Sequence, residues 1–132
     1  MQKGLAFLFV PKVFPLNEDV DYANMAILDA LPREEVVFHA YDKGNKKQIN
    51  RSVIANEKVV LKVGADVMFI FNVNNNIKNG VQGTVSSFLN GLPVVTTAAE
   101  TIVVNQVTWP VYDKKEPTKV KGTRTQLPLK LA

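Results

Sequence analysis

The sequence contains no cysteine and a single histidine among its 132 residues. The first absence excludes a disulfide framework, a thiolate metal site and a cysteine nucleophile. The second leaves His39, between Phe38 and Ala40, without further ligands at metal-binding spacing, so it reads as a core or rim residue. Long apolar runs are missing too. Leu5–Val10 offers six residues before Pro11, short of the roughly 7–15 of a secretory core segment and the roughly 20 of a spanning helix. No leader and no membrane association are expected, the protein reads as intracellular, and Asn50-Arg51-Ser52 is an accidental glycosylation sequon. No internal repeat occurs. What is present is ordinary for a folded domain, 46% hydrophobic and 21% charged residues, in a chain long enough for one core and too short for a nucleotide-driven motor.

Charge is divided along the chain. Residues 1–42 hold three cations against seven acids, a net −4, and residues 43–132 hold thirteen against five, a net +8. An anionic partner is therefore expected to meet the second part.

The grammar of the chain changes at the same place. Leu5–Val10 reads as a strand. Asn17 reads as a helix N-cap with Glu18, Asp19 and Asp21 in the first turn, and Val20, Ala23, Ile27 and Leu31 form one helical face up to Pro32. Val36–Tyr41 reads as a second strand, with Glu34-Glu35 a solvated turn before it. From Lys43 short strands recur. Lys43, Lys46 and Lys47 read as an exposed polar turn, 43–55 as a linker, and 56–112 as a small antiparallel barrel of the Src-homology-three type. Its strands are expected at Val59–Val63, Ala65–Val73 (with Phe69 and Phe71 inward), Gly83–Phe88, Pro93–Thr97, Thr101–Val104 and Val107–Tyr112. Asn90-Gly91 predicts a type I′ hairpin turn, because both central positions need positive φ. Asn72, Asn74, Asn75, Asn76 and Asn79 suit left-handed positions of a loop, and Gly80 and Gly83 serve the backbone. Residues 113–132 read as a basic linker and a returning strand. The fold expected is mixed α+β, a short strand-helix-strand unit followed by the barrel.

Three separated motifs then carry a resemblance. They are Phe14-Pro15-Leu16-Asn17-Glu18-Asp19-Val20-Asp21 with Phe38-His39-Ala40-Tyr41-Asp42; Leu61-Lys62-Val63-Gly64-Ala65-Asp66-Val67-Met68 with Asn79-Gly80-Val81-Gln82-Gly83-Thr84-Val85; and Arg124-Thr125-Gln126-Leu127-Pro128-Leu129-Lys130-Leu131-Ala132. In this order, over about residues 10–132, they resemble PIF-type DNA helicases and the related RecD-type enzymes of superfamily one. The resemblance implies a partial RecA-like segment at 1–42, with the barrel inserted in that domain. It also implies a non-catalytic portion of an ATP-dependent, 5′–3′ DNA helicase involved in repair and recombination, contributing to single-stranded DNA binding and translocation. ATP and magnesium would belong to the parent enzyme, with no cofactor in this chain, and the partners would be single-stranded DNA and the remaining helicase domains.

Two departures qualify the resemblance. The phosphate-cradling pattern G-x-x-x-x-G-K-[ST] does not occur, and Leu16 stands where relatives carry a threonine. The chain thus looks like a section of the motor's second half. DNA binding calls for cations along a groove and aromatic faces for bases. The candidates are Asn17, Lys62, Lys78, Asn79, Lys119, Lys121 and Arg124, with Trp109 read as packing at the barrel end. The competing reading is a stand-alone small-barrel module that binds a protein partner.

Overall fold

The computed structural model describes residues 34–132. The strand at Leu5–Val10, the helix opened by Asn17 and Asn17 itself lie outside the described residues. The strand expected over Val36–Tyr41 is two strands, β1 (Val36–His39) and β2 (Tyr41–Lys43). Ala40 between them donates its N–H to the Glu57 carbonyl at 2.8 Å. There the chain leaves one sheet for another: β1 pairs antiparallel with β3 (Lys58–Leu61), and β2 with β9 (Val120–Gln126).

Two further ladders organise the rest. One antiparallel sheet runs in the order β10 (Leu129–Leu131), β4 (Asp66–Phe69), β5 (Gln82–Leu89), β6 (Leu92–Thr97), β7 (Thr101–Val103). The other has β9 between β2 and β8 (Val107–Tyr112). Asn90 and Gly91 have φ of 51° and 81°, so the β5–β6 turn takes the primed geometry its sequence predicts.

Over 56–112, where a barrel was expected, the strands belong to three sheets. Each of the three sheets is open, ending in two edge strands, and strands outside 56–112 complete them. β8 pairs with β9 rather than with β7, and β10 lies along the outer edge of β4. Leu127-Pro128 makes this possible. Proline has no N–H to extend a ladder, and the Pro128 carbonyl instead accepts the Ile70 N–H at 2.9 Å. Among the described residues the fold is mostly β with one helix; most of the strand-helix-strand unit behind the α+β expectation lies outside them.

That helix, α1 (Lys46–Ser52), stands where a polar turn and linker were expected. Asn45 caps it by accepting the Gln48 N–H at 3.1 Å, and Val53 closes it by donating to the Ile49 carbonyl at 2.9 Å. Seven residues are too few for a helix to persist alone. Ile49, fully buried, holds it to the body. Gly44 (φ 107°) and Gly122 make the approach possible, because a Cβ on Gly44 would lie 2.8 Å from the Lys121 carbonyl oxygen.

Two apolar clusters result. The larger joins Phe38, Leu61, Val67, Phe69, Ile77, Val85, Val95, Leu127 and Leu129, with Phe38 stacked on Phe88 at 6.3 Å between ring centres. The smaller gathers Ile49, Val53, Ala55, Ile70 and Val111 beneath α1, with Trp109 against it. Phe69 and Ile70, neighbours where β4 ends, enter different clusters. Phe71, expected inward, is 38% exposed and meets Trp109 edge-on at 5.9 Å.

Candidate nucleic-acid interface

Residues 70–81 form a structured loop. The Asn74 side chain accepts the N–H groups of Asn76 and Ile77, both at 2.8 Å, and its amide donates to Glu100 Oε2 at 2.8 Å. Asn72 accepts the Asn79 N–H at 2.8 Å. The loop asparagines were expected in left-handed conformations. Among the described residues the only non-glycine with positive φ is Asn90, and Asn72 and Asn74 act through their side chains as caps for the loop's own backbone. Ile77 plugs into the main core and Gly80 donates to the Phe69 carbonyl at 2.8 Å. Lys78 and Asn79 are left exposed beyond that plug.

Two predicted cations sit elsewhere. Lys62 is buried, 6% exposed. Arg124 is 1% exposed and built into the interior. Its Nε and Nη2 donate to the two oxygens of Asp42, each at 2.8 Å; Nη1 donates to the Ala55 carbonyl at 2.9 Å, and Nη2 also to Asn50 Oδ1 at 2.6 Å. The fork geometry of guanidinium suits this bidentate pairing. Arg124 therefore ties β9 to β2 and α1 and presents no donor surface for a phosphate. The hydrogen bond from Arg124 is the chief cause that holds the Asp42 carboxyl below its ordinary value, against the opposing effect of burial. Lys46, expected in a mobile turn, reaches Glu57 at 2.6 Å and Asp42 at 3.6 Å from the first turn of α1. Next along β9, Gln126 is fully buried and its amide nitrogen donates towards the carbonyls of Phe38 and Asn56 at 3.0 and 3.1 Å.

Lys119 and Lys121 are exposed where β8 returns to β9. Asp113 shapes that connection by accepting the N–H groups of Lys115 at 2.7 Å and Glu116 at 3.3 Å. These bonds, that of Lys115 first, hold its carboxyl below the ordinary value. Between the connection and α1 runs an open cleft of about 610 Å³. Lys121 lines it together with Arg51, Tyr112, Lys114 and Lys115, residues that sequence reasoning did not single out. The signal was weak: Arg51 belongs to a helix without a periodic apolar face, and Lys114 and Lys115 lie in a segment read as linker. His39, Glu34 and Glu35 are exposed, and none of them lines this cleft.

Comparison with known proteins bears on this arrangement. The chain is 36% identical over 124 residues, 88% of its length, to the ATP-dependent DNA helicase PIF1 of Xenopus laevis, and 31% identical over 84 residues to that of Candida albicans. The Candida albicans Pif1 crystal structure superposes with a TM-score of 0.78 at 28% identity over 91% of this chain. The chain corresponds in sequence and fold to a segment of PIF-type superfamily-one DNA helicases. It spans about a fifth of the Xenopus PIF1 sequence, 19%, and 33% of the Candida Pif1 structure. A Bacteroides Pif1 structure in complex with ADP-AlF3 and single-stranded DNA matches it at a TM-score of 0.70 and 25% identity over 89% of the chain. No protein-family model matches.

Proposed function

We propose that the chain is a non-catalytic portion of a PIF-type, ATP-dependent DNA helicase that helps hold single-stranded DNA while nucleotide is hydrolysed elsewhere in the enzyme. The observation that carries this reading is the 36% identity to Xenopus PIF1 over 88% of the chain. The exposed Lys78, Lys119 and Lys121 and the net +8 of residues 43–132 support it, because cations that neutralise phosphates release condensed counterions. Within this reading, 56–112 contributes the strands of the inserted small barrel of the Src-homology-three type, and 34–42 leads in from the second motor domain. A DNA-handling role accords with an intracellular location; among the described residues no helix is long and apolar enough to cross a membrane.

ATP and magnesium would be the cofactors of the whole enzyme. The described residues do not fit them: no three His, Asp or Glu side chains are grouped to hold a metal ion, and the sequence lacks the phosphate-cradling loop. No step of hydrolysis is assigned to these residues.

Titration of labelled oligo-dT at about 50 and 200 mM salt tests the reading. Three phosphates neutralised on a single strand give a log-log slope of about −2, and so about 20-fold weaker binding at the higher salt. No binding at either salt would refute the DNA role and favour the protein-interaction module.

A further inference from the structure

The cleft between α1 and the β8–β9 connection draws its cations from three separate places. Arg51 comes from the last turn of the helix, Lys114 and Lys115 from the connection, and Lys121 from β9. The one carboxylate in the lining, Asp113, accepts two backbone N–H groups of its own connection. The ion pairs that join Lys46 and Arg124 to Asp42 and Glu57 do not reach these four cations. Four like charges converging on one concave surface, against the single carboxylate of Asp113, create a local positive potential that a polyanion relieves.

The cleft has a second kind of group. Tyr112 lines it and is 53% exposed, so its ring is available to a planar ligand. The volume, about 610 Å³, falls within the roughly 300–1,000 Å³ of sites that hold small organic ligands. Gln48 and Ser52 add neutral hydrogen-bonding groups along the helix side. Phosphate-binding cations beside an exposed aromatic face are the combination that recognises single strands. A base inside a duplex has both faces covered by its neighbours, whereas an unpaired base can stack on a ring.

We infer that this cleft is a nucleotide-sized subsite for single-stranded DNA, in which Arg51 and Lys121 hold backbone phosphates and Tyr112 stacks a base. The inference rests on the DNA reading proposed above and deepens it. It assigns binding to residues other than Lys78 and Asn79, and it gives the connection a recognition role as well as a linking one.

The test uses the full chain, a fluorescein-labelled oligo-dT, the same oligomer with abasic sites throughout, and fluorescence anisotropy. Removing two phosphate contacts with Arg51→Ala plus Lys121→Ala weakens oligo-dT binding and lowers the magnitude of the salt slope by about 1.4. Tyr112→Leu weakens oligo-dT binding by about 5-fold to 150-fold, the equivalent of one stacked base. It leaves binding of the abasic strand unchanged, and Tyr112→Phe restores the oligo-dT affinity. Circular dichroism and thermal melting confirm that each variant is folded. Folded variants that bind oligo-dT as tightly as the parent, or a Tyr112→Leu loss equally large on the abasic strand, would overturn the subsite while the DNA role stands. Failure of the unsubstituted chain to bind any strand would overturn both.

Discussion

Arg124 shows how far one residue's role depends on what the fold places opposite it. As a basic residue in a basic stretch it reads as a DNA contact. Its partner Asp42 lies 82 positions earlier and Asn50 lies 74 earlier, separations that no local pattern reveals. Removing one member of a buried ion pair strands the other charge, which costs about 3–5 kcal/mol. Asp42→Asn is therefore expected to lower the stability read from urea unfolding by that order while keeping the side-chain shape. The same pair sets an acid limit. The Asp42 carboxyl titrates lower in the folded chain than its ordinary 3.8, so as pH falls the unfolded state takes up this proton first. Its contribution to stability is fully present above about pH 4 and is lost progressively as pH drops through the lowered folded value. Urea midpoints measured from pH 6 downward should fall in that acid range. In Asp42→Asn this part of the fall should be absent.

At the scale of elements, the strands were the legible part. Alternation over β4 and β6, and Asn90-Gly91 between β5 and β6, are local signals, and local physics produces them. The helix was not legible, because Lys46–Ser52 has one buried apolar side chain and no periodic face. Its stability comes from outside itself, from the Ile49 seat over Gly122 and from the ion pairs of Asp42. Ile49→Ala is expected to cost about 2–5 kcal/mol, and hydrogen exchange should show α1 amides losing protection more than those of β5. The loop 70–81 makes the complementary case. Asparagine enrichment signalled a loop, but not that Asn74 would cap it from within. Asn74→Ala leaves the Asn76 and Ile77 N–H groups without that acceptor. A loss of about 1–2 kcal/mol is expected, with faster amide exchange confined to that loop.

For the whole molecule, the charge division, a net +8 over residues 43–132, is the sequence feature that accords with a cationic cleft between α1 and the β8–β9 connection. The cleft it points to stayed invisible, since it needs α1 against the β8–β9 connection. The stretch 113–132, read as basic linker and returning strand, supplies β9 and β10, which pair into two different sheets, with β2 and β8 on one side and β4 on the other. Because those ladders hold the last segment so firmly, limited trypsin cleavage at Lys114 or Lys115 should nick the chain without releasing it. The two pieces should co-elute on gel filtration in buffer and separate in urea. The span between Asp42 and Arg124 also bears on synthesis. At about 5–20 residues per second, roughly 4–16 seconds pass between the emergence of the two partners. For that interval the nascent chain carries β2 and α1 without the strand that completes them, and a chaperone would find its target there.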